Sequence, residues 1–384
     1  MKRSTERILT THAGRLEGPP EFTKLTGTVR ERRDADPDAI EARLRDAIVY
    51  VLEKQAEAGI DIASNGELNR YGYGLTYYGR RLSGLTSRKV KEGEPAWMSQ
   101  RTGERLEFAE FYQDLGWTGP SERIICTGPI TYIGADEVRR EIETYRAALG
   151  AANAQFEEVF MSAFAPGWLE HFFHNEFYDR DEEFVFALAE AMREEYRAIV
   201  DAGFVLQIDD PALPDTYDMF VPPPDIDEYR RFATFRIDAL NHALDGIPED
   251  RVRYHICWGS WHGPHTHDLP LEHIVDLLLR VKAGAYSVEA ANPRHEHEWR
   301  VWADTKLPDG KILIPGVISH ATNVVEHPEL VADRIVRFAE LVGRENVIAG
   351  TDCGLGLRVH PQIAWAKLEA LSAGAAIASR RLGY

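Results

Sequence analysis

The stretch "DRDEEFVFALAEAMREEYRAIVDAG" (Asp179–Gly203), followed one residue later by "VLQIDD" (Val205–Asp210), holds the fold in miniature. In the first part apolar residues recur among acidic ones at helical spacing, and the charges read as a solvated face. The second part is a short apolar run that reads as a buried strand and ends on carboxylates. An amphipathic helix leading into an apolar strand is the unit from which parallel sheets are assembled.

The unit recurs along the chain. Candidate strands are "RILTTH" (7–12), "IDIAS" (60–64), "VFMSAF" (159–164), "VLQID" (205–209), "RYHIC" (253–257), "AYSVE" (285–289), "ILIPGV" (312–317) and "VIAGT" (347–351). Helical patterns lie between most of them. One is "DPDAIEARLRDAIVYVLEKQAEAG" (36–59), where Pro37 suits a first turn and Gly59 a stop. Others span 181–202, 225–244, 270–283, 328–342 and 361–381. Eight strands alternating with helices predict an α/β chain folded as a single (β/α)8 TIM barrel over residues 1–384, with an open doubly wound sheet as the alternative. No GxGxxG follows the first strand, which disfavours dinucleotide binding. Residues 72–135 break the rhythm. They are rich in Gly, Tyr, Arg and Lys, and contain the strand-like "RIICTGPITYIG". They read as a lid-like insertion after the second strand, folded over one end of the barrel.

Composition limits the function. The 384 residues carry a formal charge of −18, which argues against nucleic acid and anionic membranes as partners. Three cysteines, Cys126, Cys257 and Cys353, fit a reducing compartment rather than a disulfide scaffold. The first residues, "MKRSTERILTTHAG", lack the apolar stretch of a signal peptide, and no run reaches membrane-spanning length. A cytoplasmic protein is expected, with a homo-oligomer open.

In a barrel of this kind, catalytic groups gather at the C-terminal strand ends. Nearly every candidate strand here ends on a polar or reactive group: Thr11-His12 and Arg15, Asn65-Gly66-Glu67, Asp209-Asp210, His255-Ile256-Cys257, Glu289, Ser319-His320 and Asp352-Cys353. His255 and Cys257 are two apart on a strand and share a face. Alone, the pair reads as packing, because a buried free cysteine behaves as a small hydrophobe. With Glu289 and Cys353 converging from other strand ends, the set has the thiolate, imidazole and carboxylate donors of a Zn²⁺ site. Ligands scattered over three strands suit a catalytic metal better than a structural knuckle. Zinc deprotonates a bound thiol, so the chemistry expected is thiolate attack on an alkyl carbon.

These motifs resemble the catalytic barrel of the cobalamin-independent methionine synthase superfamily. The likeness rests on "HICWG", "SVEAAN" and "GTDCGLG", with "TTHAG", "SNGELNR", "QIDDPAL" and "GVISHATN" in the same order. The strings "TGPITYIG", "HICWGSWHGPH", "NPRHEHEWRVW", "VEHPELVADRIVRFAELVG" and "TDCGLGLRVHPQIAWAKLE" look closest to the epoxyalkane:coenzyme M transferase branch. The resemblance implies a zinc ion held by His255, Cys257, Glu289 and Cys353, and a small-molecule thiol that accepts an alkyl or methyl group. It implies that Glu67 and Asp209 hold the amino group of homocysteine where that is the thiol. His320 would be the proton donor on the side of the leaving group, and in epoxide opening would protonate the alkoxide. The donor stays open between an epoxide and a methylated folate, and a catalytically inactive ligand-binding barrel is the reading from another class. Arg15 departs from the family pattern, which has a small hydroxyl residue after the glycine. It either binds an acidic group on the thiol or pairs with a nearby acid. His295 and His297, alternating with Glu296 and Glu298, read as a loop of solvated charges with Trp299 and Trp302 packing. His262, His265 and His267 read as loop residues, Cys126 as packing, and Tyr71 and Tyr73 as residues that could close over the site.

Overall fold

The structure is a computed structural model. It describes all residues except 32–36, 71–73, 93, 95–101 and 117–121, and the side chains of 27–31, 37 and 74–76 are also outside the description. Eleven strands follow in chain order: β1 (Leu9–Thr10), β2 (Ile62–Ser64), β3 (Leu85–Lys89), β4 (Glu122–Cys126), β5 (Glu158–Phe164), β6 (Phe173–Asn175), β7 (Val205–Asp209), β8 (Val252–His255), β9 (Ala285–Val288), β10 (Ile312–Ile318) and β11 (Ile348–Thr351).

Eight of them form one parallel sheet in the order β1-β11-β10-β9-β8-β7-β5-β2. A parallel bridge between Thr11 and Ile62 joins the two ends. The sheet is therefore a TIM barrel and not an open doubly wound sheet, and its eight strands are those expected from the sequence. Strands β7 to β11 are buried at every residue, as parallel strands sandwiched between helices and a filled interior must be. Long helices Pro37–Glu57, Ala135–Ala151, Asp181–Asp201, Ile226–Ala243, Pro328–Val342 and Pro361–Arg381 form the outer ring. The helix expected over 270–283 is instead a 3₁₀ turn, Leu271–His273, and a short helix, Val275–Leu279. Ile274, with φ −133° and ψ −2°, interrupts the run between them. Among the described residues no helix is long and apolar enough to cross a membrane.

The insertion contributes to a second, three-stranded sheet in the order β3-β4-β6. The sequence suggested that residues 72–135 supply the extra strand structure, yet β6 comes from beyond the third barrel strand. Arg81 fixes the insertion's start: it is fully buried against Glu195 at 2.9 Å, with Glu137 and Glu141 also paired to it. The helices Thr102–Glu107 and Ala109–Asp114 lie on the loops that follow β7 and β8. Glu104 N donates to Asp218 Oδ1 at 3.1 Å, Trp261 Nε1 donates to Tyr112 Oη at 3.1 Å, and His267 Nε2 meets Glu107 at 2.6 Å. The insertion thus covers part of the rim where the barrel strands end. Tyr71 and Tyr73 lie outside the described residues.

Candidate metal and thiol site

The strand period places His255 and Cys257 on one face at the end of β8, and the turn after β11 brings Cys353 to them. One ligand atom from each lies within 4.8 Å of the others. The two sulfurs are 3.5 Å apart and both cysteines are free. Two thiolates on one tetrahedral zinc at ~2.3 Å each stand about 3.8 Å apart, so this spacing suits a shared metal and exceeds a disulfide bond. His255 Nδ1 meets Ser287 Oγ at 3.1 Å, which orients the ring. Its Nε2 is buried without a hydrogen-bond partner. An orphaned imidazole nitrogen beside two thiols fits a soft, borderline metal such as zinc. The hydrogen bond between the sulfurs, with His255 alongside, draws the Cys353 thiol well below its usual range. The same bond, with burial, pushes Cys257 well above it.

Glu289 follows β9 and is buried beside this trio. Its Oε1 accepts from Trp258 N at 3.0 Å and its Oε2 from Asn292 Nδ2 at 3.2 Å. Its carboxylate groups not with the thiols but with His320 and Asp352, again within 4.8 Å. Burial and then the neighbouring Asp352 push the Glu289 carboxyl well above the usual range. His320 is fully buried, and among the described residues neither ring nitrogen has a hydrogen-bond partner. Burial lowers its pKa to about 4, so the ring is neutral.

Across the mouth, Glu67 sits in a left-handed conformation, φ 56°, with its carboxylate over Gly14, where a Cβ would collide with it. Ser162 Oγ donates to Glu67 Oε1 at 2.9 Å, and Gln207 Nε2 to Asp209 Oδ1 at 2.6 Å. Arg70 lies between the two acids, its Nη1 3.6 Å from Glu67 Oε2 and 3.4 Å from Asp209 Oδ2. Burial, then the Glu67 charge, pushes Asp209 up to about 7 in spite of that guanidinium. Arg15 is half-buried, and its Nη1 donates to the Arg70 carbonyl at 3.2 Å. Its Cβ packs against Gly354, next to Cys353, where an added Cβ would stand 2.8 Å away.

The structure corrects one expectation about charge. His295 and Glu298 are buried, not solvated. His295 bonds Asp268 at 2.8 Å and Glu298 at 2.9 Å, and its ring stacks on Trp258 at 3.7 Å. Against burial, which lowers it, those two acids push His295 up to about 10. His265 joins the same Asp268 at 2.7 Å. Trp302 and Cys126 both pack in the core as expected, and Cys126 Sγ also donates to the Gly128 carbonyl at 3.2 Å. Sequence reasoning named Asp352 among the polar strand ends without a role, and did not single out Arg70 or Asp268. Arg70 stood three residues after Glu67 in "SNGELNR" and Asp352 directly before Cys353, so adjacency to a candidate was the available signal.

The fold is a TIM barrel, and at one rim His255, Cys257 and Cys353 bring three ligand atoms within 4.8 Å of one another. The chain belongs to the family of cobalamin-independent synthase catalytic domains, whose model matches residues 171–376. It is 27% identical over 377 residues to the 2-hydroxypropyl-CoM lyase of Xanthobacter autotrophicus, covering 90% of this chain and 88% of that one. It is 24% identical over 341 residues to a methionine synthase of Sulfolobus acidocaldarius, covering 88% and 83%. Its fold is also that of a B12-independent methionine synthase from Shewanella, with a TM-score of 0.70 at 20% identity over 98% of this chain and 99% of that one.

Proposed function

We propose that this protein transfers an alkyl group to a small-molecule thiol, opening an epoxide as in the epoxyalkane:coenzyme M transferase branch, with zinc held by His255, Cys257, Cys353 and Glu289. The observation that carries the reading is His255 Nε2, buried without a hydrogen-bond partner among the described residues and grouped with two free thiols. Glu289, one residue cluster away, supplies a carboxylate to complete the set. When bound, zinc would keep the substrate sulfur deprotonated near neutral pH.

The chain's own residues do the rest. Arg15, beside the Cys353 turn, takes an acidic group on the thiol. Glu67 and Asp209 line the opposite wall and orient the substrate between them. The new carbon–sulfur bond forms as the epoxide carbon–oxygen bond breaks, so the thiol loses one proton and the alkoxide needs one. His320, whose ring nitrogens have no hydrogen-bond partner among the described residues, relays that proton to the alkoxide. The insertion, residues 72–135, acts as a lid: its helices rest on the loops after β7 and β8, and closing them excludes water from the thiolate.

A second reading has specific support. Glu67 and Asp209 stand as two carboxylates around one guanidinium, that of Arg70, which suits an added ammonium group. That would suit an amino-acid thiol such as homocysteine, methylated from a folate. Thiol consumption measured with a small epoxide and, separately, with methyltetrahydrofolate decides between the two. Epoxide-dependent loss of thiol is expected. Consumption with the folate alone moves the assignment to methyl transfer, and consumption with neither refutes both.

A further inference from the structure

We propose that Asp352 is a positioning residue that locks the strand end carrying Glu289 to the strand end carrying Cys353. The inference rests on the reading of these residues as zinc ligands. Glu289 directly follows β9 and Cys353 lies two residues past β11, and these strands are not neighbours, because β10 runs between them. No ladder hydrogen bond can therefore hold the two ligands in register. Asp352 spans the gap: its Oδ1 accepts from Ala290 N at 2.7 Å and from Ala291 N at 2.9 Å, the two residues that follow Glu289. Its own N–H donates to the Ile318 carbonyl of β10 at 2.9 Å.

The path over β10 exists because Gly316 lies there. A Cβ at Gly316 would stand 2.6 Å from the Asp352 Cα and backbone N, and closer still to Oδ1. The pairing of β10 with β11 shifts register between Gly316 and Ile318, which opens the sheet at that point. A bulge, a glycine and an aspartate together carry one carboxylate oxygen across an intervening strand. Trp258 N, next to Cys257, donates to Glu289 in turn. The ligand-bearing ends of β8, β9 and β11 are thus laced together by two carboxylates: Glu289 ties the β9 end to β8, and Asp352 ties it to β11.

Groups that hold a metal's ligands in place are worth ~10–100-fold in affinity. Zinc affinity, measured by competition with a chromophoric chelator, is expected to fall by about that factor in Asp352→Ala and to recover largely in Asp352→Asn, which keeps an acceptor oxygen at the same place. Wild-type affinity in Asp352→Ala would overturn the proposal, whereas a wild-type protein that binds no zinc would refute the zinc reading itself. Hydrogen exchange on the metal-free wild-type protein decides the matter if the alanine variant fails to fold. The Ala290 and Ala291 amides should exchange as slowly as those of β9, and exchange at loop rates would overturn the lock.

Discussion

On the side of β8, β9 and β11, three buried ring nitrogens, His255 Nε2 and both of His320, have no hydrogen-bond partner among the described residues. On the side of β2 and β7, Glu67 and Asp209 have closed their bonds onto Ser162, Gln207 and Arg70. Both groups of residues come from strand ends of one barrel; the first is buried, and in the second Asp209 is buried and Glu67 half-buried. Unsatisfied polar atoms cost stability, so the first side is built for something that arrives from outside. The second is pre-shaped by bonds among its own side chains, with Gln207 Oε1 left unpartnered among the described residues. Changes on the first side should remove function and spare the fold, and changes on the second should disturb both.

The largest effect is expected from Cys353→Ser, which takes a thiolate from the trio. Zinc affinity should fall by more than the ~100-fold typical of an outer residue, and thiol alkylation should vanish. Chelator competition and thiol consumption measure the two, and a variant with wild-type values in both would break the comparison. His320→Asn comes next: turnover should drop by ~10²–10⁴-fold with zinc content unchanged, as when a positioned proton carrier is lost. Parallel loss of zinc would mean instead that His320 serves the metal.

Across the mouth, Arg70→Met strips the one cation between two buried acids. Breaking a buried pair from one side costs about 3–5 kcal/mol, so denaturant unfolding should show a large loss, joined by a raised KM for the thiol. A stable Arg70→Met protein with normal KM would show that the second side is not held by its own charges. The smallest effect sharpens the contrast at a third place, the His295–Asp268–Glu298 network under Trp258. The His295 pKa lies at about 10, above the ordinary 6.5. Its charge therefore adds stability that is complete below pH 6.5 and is lost as the pH rises through 10. The melting-temperature advantage of wild type over His295→Gln should shrink by a few degrees, roughly, between pH 7 and 10. A constant difference would mean that packing on Trp258, and not charge, is what His295 contributes.

Much of this molecule could be read in the sequence. The eight barrel strands and the long helices at 181, 328 and 361 carry their own periodicity, and a local signal suffices to find them. The helix at 270–283 was misread because its apolar spacing continues through Ile274, where the backbone turns out of the helix. β6 was missed because three residues in a short segment gain strand character only by pairing with β4. In the site, His255 and Cys257 were legible since a two-residue step on a strand fixes a shared face. Asp352 was not, because its role depends on a bulge and a glycine in a different strand. His295 looked solvated for the same kind of reason: its partner, Asp268, comes from another loop, and no pattern within "PRHEHEWRVW" announces it.

X-ray absorption at the zinc edge tests the central claim most directly, since it counts sulfur atoms around the metal. The account predicts one zinc per chain with two sulfur neighbours, from Cys257 and Cys353, rising to three when the substrate thiol is added. Protein purified without chelator that carries no zinc, or a sulfur count that stays at two with thiol present, would contradict it.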